Sequence, residues 1–184
     1  MDVRPNVVPV VGVLVGLCCL GFALVNVVFE VTGHFDRGRY AEYSSAFSVL
    51  NWLVVVLKVA GAAVALLSVA RRPWPVPAAV VTVSLWGAFA TLAGYALGSV
   101  AEAVGMAVGL TGTVDGIDLA GIVYVLFFLL VAAGFGVLAV SYSRRHGTRR
   151  RLAVLGVLGG PVLLGLVLVA VPALLAAVGL MPSP

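Results

Sequence analysis

The chain has 184 residues, of which 62% are hydrophobic and only 10% are charged, with a net charge of +4. Soluble domains carry about 25% charged residues. The composition therefore excludes a soluble domain, a disordered chain and a nucleic-acid binder that works through a basic surface. It is typical of an all-α, polytopic membrane protein.

Apolar runs long enough to cross a bilayer as helices, which takes about 20 residues, follow one another along the chain. They predict five transmembrane helices in one integral membrane domain over residues 1–184, near 7–31, 46–70, 76–98, 119–143 and 152–180. Ser44 or Ser45 can cap the second helix and Asp118 the fourth. The connection at 99–117 is apolar on one side, which fits either a surface helix or an extension of the third span.

Basic residues between the spans predict the orientation. They follow spans two and four, at Arg71, Arg72, Arg144, Arg145 and 149–151, whereas six of the seven acids fall on the other side. The positive-inside rule then predicts a cytoplasmic N-terminus and an external C-terminus in a cell membrane. One Lys against ten Arg, and only two Ile, indicate GC-rich codons and hence a high-GC bacterium.

Two offsets suggest an internal duplication. A shift of 73 aligns Gly61 with Gly134 and Arg71-Arg72 with Arg144-Arg145, and a shift of 72 aligns Glu30 with Glu102. These matches predict two related helical hairpins plus one extra helix. The alternative is that apolar helices of biased composition always align to some extent.

Small residues recur on one face of three spans, at Gly12 and Gly16, at Gly87, Thr91, Gly94 and Gly98, and at Gly156 and Gly160. Such stripes let helix backbones approach closely in a membrane. We expect packing within the bundle, and oligomerisation is the alternative.

Lys58 is predicted to lie near the midplane of the bilayer, where a Lys costs roughly 2.5–3.5 kcal/mol on insertion scales. It shares a helix face with Asn51, Ala62, Ala65, Ser68 and Arg72, so this face should contact protein or water. Glu30, Glu102 and Asn26 lie toward the predicted outer surface and complete a set of candidate ligand or partner contacts. The expectation is that Lys58 meets a water-filled cleft, an anionic ligand or an acid from another subunit. The alternative is a neutral amine bonded to Asn51 or to a backbone carbonyl.

The first outer loop combines His34, Asp36, Arg37 and Arg39. The two guanidinium groups suit the phosphate of a lipid headgroup, whereas His34 and Asp36 are too few ligands for a metal. The alternative is a solvated interfacial loop.

No catalytic, metal or cofactor site is predicted, because both His residues lie in loops and no mid-membrane acids are paired. The first hypothesis is a small, non-enzymatic membrane subunit that binds a partner protein or lipid. The alternatives are a small transporter or channel with a polar cleft around Lys58 and the outer acids, and a lipid-modifying intramembrane enzyme. The expected partners are membrane lipids, another membrane subunit or a second copy of the chain, and not nucleic acid.

Overall fold

The computed structural model describes residues 7–37, 41, 43–71, 75–110 and 118–178. Within them the chain forms five long helices: α1 (Val7–Val31), α2 (Ser44–Val69), α3 (Ala78–Ala107), α4 (Leu119–Arg145) and α5 (Arg150–Ala177). Each is long and apolar enough to cross a membrane, and no strand occurs in the described ranges. The predicted all-α polytopic fold is confirmed. Arg4, Arg39, Glu42, Arg72 and Asp115 lie outside the described residues.

The predicted helix bounds agree with the structure to within a few residues except at the end of α3, which continues past residue 98 to Ala107. The helix stops where Gly109 adopts a left-handed conformation, with φ of 75°. The amide of Leu110 then donates to the Gly105 carbonyl at 2.8 Å, and that of Gly109 donates to Met106 at 3.2 Å. This pair of bonds is a Schellman motif. Of the two predicted structures for this connection, the extension of span three is therefore present.

The helix caps were predicted correctly for α4 and wrongly for α2. The Asp118 carboxylate accepts a hydrogen bond from the Gly121 amide at 2.7 Å, which caps α4 as expected. The N-cap of α2 is Tyr43, with no capping side-chain bond. Ser44 and Ser45 already lie in the first turn, because the helix begins earlier than its apolar run.

The helices pack as a hairpin of α1 with α2, and as a group in which α3 packs against both α4 and α5. Contacts of α1 with α4 join the two units. The core at this junction includes Val15, Ala65, Leu85, Phe135 and Leu138.

Glycines allow the closest helix contacts, as the small-residue stripes predict. The Cβ of a side chain at Gly12 would lie 2.6 Å from Val69, and one at Gly160 would lie 2.5 Å from the Gly87 backbone. Gly94 and Gly98, in contrast, have open space beside them. The stripes on α1 and α5 therefore serve packing within the bundle, whereas the α3 stripe does so only at its first glycine.

Candidate functional site

Polar side chains from α1 and α2 meet along the hairpin. On α1, Asn26 and Glu30 are four residues apart, and on α2, Ser48, Asn51 and Lys58 are spaced by three and seven. Each spacing keeps its side chains on one helix face. Because the end of α1 lies beside the start of α2, the two faces oppose each other. We call Glu30, Ser48, Asn51, Asn26 and Lys58 the polar line.

Hydrogen bonds connect Lys58 to Glu30 through two amides. The Lys58 ammonium donates to Asn26 Oδ1 at 2.5 Å, and Asn26 Nδ2 donates to Asn51 Oδ1 at 2.5 Å. Asn51 Nδ2 donates to Glu30 Oε2 at 3.1 Å and to the Asn26 carbonyl oxygen at 2.9 Å. The Ser48 hydroxyl donates to Glu30 Oε1. The three side-chain bonds that link Lys58 to Glu30 through the amides therefore all point from the amine toward the carboxyl group.

The chemistry of the end groups dictates the orientation of both amides. An ammonium can only donate, so Asn26 must present its oxygen to Lys58. Asn51 must turn its NH₂ group toward two acceptors, the Glu30 carboxylate and the Asn26 backbone carbonyl. Its own side-chain oxygen therefore faces the Asn26 amide. The remaining contact between the two amides must then run from Asn26 to Asn51. Aligned dipoles of this kind strengthen one another in a medium of low dielectric constant.

Two amides therefore bridge the Lys58 amine and the Glu30 carboxyl group. Lys58 lies seven residues along α2 from Asn51, or about 10 Å at the helical rise, so its ammonium is much deeper than the carboxylate. The Phe22 carbonyl, at 3.5 Å, and the Phe22 ring, centred 4.9 Å away, complete its surroundings. Among the described residues, no buried side-chain nitrogen or oxygen lacks a hydrogen-bond partner.

The predicted face of α2 does contact protein. Asn51, Ala62, Ala65 and Ser68 are buried, and Lys58 is half-buried. The partners expected for Lys58 were a cleft, an anionic ligand, an acid, Asn51 or a backbone carbonyl, whereas in the structure they are the Asn26 amide and the Phe22 carbonyl. The sequence does contain a signal for this bridge. Each helix of the hairpin carries an Asn on the same face as its charged residue, so the two amides can meet between the helices.

Glu30 also borders a pocket at the end of the bundle that carries His34, which we call the loop end. The pocket has a volume of about 210 Å³ and is lined by one apolar and six small or polar residues: Phe35, Glu30, Gly33, Asp36, Ser44, Ser45 and Ser48. Its carboxylates and hydroxyl groups accept hydrogen bonds, so its chemistry suits a cation or an amine. The polar line thus runs from this pocket to Lys58.

Of the other candidate residues, Asp36 lines the Glu30 pocket, and the rest are dispersed. Glu102 lies exposed on α3 and does not line the Glu30 pocket, and α1 and α3 make no contact in their described residues. His34 and Asp36 form a short 3₁₀ turn with Phe35, and the His34 ring stacks on Phe29 at 4.7 Å. Arg37 is exposed. In the described ranges no three His, Cys, Asp or Glu residues are grouped to hold a metal ion.

The residues of the polar line are not repeated at the corresponding positions of the second hairpin. At the offsets of 72 and 73, Asn26 corresponds to Gly98, Asn51 to Tyr124 and Lys58 to Val131. The second hairpin instead packs aromatic rings there, with Tyr124 5.8 Å from Phe22 and 4.7 Å from Phe128. Whatever the polar line does is specific to α1 and α2.

Comparison of the chain with protein-family models, curated proteins and solved structures finds no match.

Proposed function

We propose that the protein is a small, non-enzymatic membrane subunit that binds a partner protein or a lipid through its exposed helix surfaces. One observation carries the proposal: the partners of Lys58 all come from α1. The charge that is costly at mid-depth thus serves to join two helices. The positions of the basic residues support a plasma membrane with the N-terminus in the cytoplasm, and the excess of Arg over Lys, with only two Ile, supports a high-GC bacterium.

The surface of α5 is the best candidate for a contact with a partner. This helix packs mainly on α3, and the apolar side chains along it are exposed, including Leu158, Val162, Leu166 and Val169. A helix held on one side by glycine contacts is suited to receive a second helix on the other.

Site-specific photo-crosslinking tests the proposal. A photoreactive residue replaces Leu158 or Leu166 on α5, and matched controls carry it at Leu17 or Leu24 on α1, which are equally exposed. The full chain in its native membrane should give an adduct of one defined mass from α5 only. Adducts with bulk lipid alone, from all four positions, would contradict the proposal.

A small transporter is the second candidate, and the polar line favours it because it leads from the Glu30 pocket to the middle of the membrane. Substrate sites of transporters lie at this depth. Ion and solute flux into proteoliposomes distinguishes the two candidates. Flux that Lys58→Met abolishes and Glu102→Gln leaves intact would favour the transporter.

A further inference from the structure

A second pocket lies at the opposite end of the bundle, which carries Arg145 and which we call the arginine end. It has a volume of about 190 Å³ and lies where α2 ends, α3 begins and α4 ends. Leu67 and Ala70 at the end of α2, with Val76 just before α3 and Val81 near its start, form apolar walls, and Arg145 and His146 form a polar rim. An apolar cleft with a cationic rim suits an amphiphile with an anionic head.

The rim is held in place by contacts within the chain. Arg145 Nη2 donates to the carbonyl oxygen of Ser68, in the last turn of α2, and its guanidinium carbon lies 5.4 Å from the Tyr142 ring. The Ser68 contact satisfies a carbonyl that has no partner within its helix. It also uses only one of the five N–H donors of the guanidinium, so the exposed group keeps donors for an anion.

His146 is fixed in the same way. Its ring stacks on Tyr142 at a centroid distance of 4.0 Å, and its Nδ1 lies 3.1 Å from the Tyr142 carbonyl oxygen. Because a carbonyl can only accept, Nδ1 carries a hydrogen, and in the imidazolium form Nε2 also carries one and can donate it to an anion. Two nitrogen-bearing groups on consecutive residues therefore line one rim.

The charge at the arginine end is strongly of one sign. Arg71, Arg144, Arg149, Arg150 and Arg151 also lie at this end of the bundle and are exposed. The sequence has no Asp or Glu at 43–101 or 119–184, and Asp2 is the only acid that precedes α1. Basic pockets between transmembrane helices are suited to phospholipid headgroups.

We propose that this pocket binds an anionic phospholipid, whose phosphate accepts hydrogen bonds from Arg145 and from His146 in its imidazolium form, and whose acyl chain begins between Leu67 and Val81. The pocket is smaller than the 300–1,000 Å³ of ordinary ligand sites, so the rest of the lipid lies along the helix surface. The inference rests on the proposed function in that it names a lipid partner. It does not involve the α5 surface.

Native mass spectrometry of the full chain in detergent tests the site, with phosphatidylglycerol and phosphatidylcholine of the same acyl chains and with glycerol phosphate alone. The wild type should retain phosphatidylglycerol in preference, and glycerol phosphate should not bind, because the apolar walls need a chain. Arg145→Gln should lower phosphatidylglycerol affinity about tenfold, as expected for a charge-assisted phosphate contact. Arg151→Gln, which removes the same charge outside the pocket, should change it less than twofold.

A change of shape without a change of charge provides an independent test. Ala78 lines the pocket, and Ala78→Leu should fill it and reduce lipid retention as much as Arg145→Gln does. If Arg145→Gln fails to fold, Ala78→Leu alone tests whether the lipid binds in this pocket. Equal losses from Arg145→Gln and Arg151→Gln, equal binding of phosphatidylcholine, binding of glycerol phosphate alone, or full retention by Ala78→Leu would each overturn the site. The α5 crosslinking result would stand in every case, so failure here differs from failure of the proposed function.

Discussion

Asn51 is the residue on which the polar line depends most. It is 5% exposed, and it bonds both Asn26 and Glu30. The amide there pairs with polar atoms of two partly buried residues on the neighbouring helix, and a buried polar atom left without its partner costs about 1–3 kcal/mol.

Asn51→Leu keeps the side-chain size and removes these bonds. It should lower the free energy of unfolding by about 2 kcal/mol or more, because Asn26 and Glu30 each lose a partner. Denaturation with SDS in mixed micelles measures the change. Thr82→Val is the control, since Thr82 is also buried but bonds only the Ala78 carbonyl of its own helix. A loss no larger than that of Thr82→Val would show that Asn51 is not a junction.

The residues of the site could be predicted from the sequence better than their connections could. Helical spacing placed Asn51 and Lys58 on one face of α2. The energetic cost of a Lys in the middle of the membrane indicated that Lys58 needs a partner. Two antiparallel helices have many rotations that bury apolar residues equally well. The pairing of Asn26 with Asn51 depends on one of them, which single-helix periodicity does not specify.

At the scale of helices, the contact of α3 with α5 depends on glycine. Side chains at Gly160 and Gly156 would collide with backbone atoms of Gly87 and Val83, at 2.5 and 2.6 Å. Backbone atoms cannot rotate away as a side chain can. The helices would have to separate to accept even a methyl group.

Gly160→Ala should therefore destabilise the protein by about 1–3 kcal/mol, the usual cost of overpacking, and should loosen α5 first. Thermal unfolding in detergent, together with protease sensitivity of the chain after α4, measures both effects. Gly165→Ala is the matched control on the same helix, because nothing lies within 4 Å of Gly165. It should be neutral or stabilising by up to about 1 kcal/mol, since Ala favours helix over Gly. Equal effects of the two changes would contradict the close approach.

The helices themselves could be predicted almost completely, because length and hydropathy determine a membrane span with little help from tertiary contacts. The end of α3 could not, since Val100, Ala103 and Val104 fit a helix on the membrane surface as well as a longer span. The prediction of the α2 N-cap was wrong for a related reason. Helix formation continues into polar residues beyond the apolar run, so composition alone does not mark the first turn.

At the scale of the whole molecule, the orientation in the membrane remains a prediction of the positive-inside rule. Gly38→Cys should react with an impermeant thiol reagent added to intact cells, and Thr148→Cys should react only after permeabilisation. Thr148 is preferable to Gly147, whose φ of 58° favours glycine. Native Cys18 and Cys19 lie within α1 and are replaced in the background. The reverse labelling pattern would show that the bundle has the opposite orientation, which would place the proposed phospholipid site in the outer leaflet.

The arrangement of the bundle gives its two ends different chemistry. The loop end has the carboxylates of the Glu30 pocket, and the arginine end has a basic rim, while the polar line extends inward only from the first. A difference in charge between the two ends is expected of a membrane protein that has one orientation, and the link from Lys58 to Glu30 belongs to the loop end alone.

A double-mutant cycle on Lys58→Met and Glu30→Gln tests the link between Lys58 and Glu30 most directly, with the free energy of unfolding as the measurement. Each single change leaves the other charge without its counter-charge, and the double variant removes both. Their effects should therefore differ from additivity by about 1 kcal/mol or more, with the double variant more stable than the sum predicts. The control cycle of Lys58→Met with Glu102→Gln should be additive within about 0.5 kcal/mol. Additivity in both cycles would contradict the amide-bridged link.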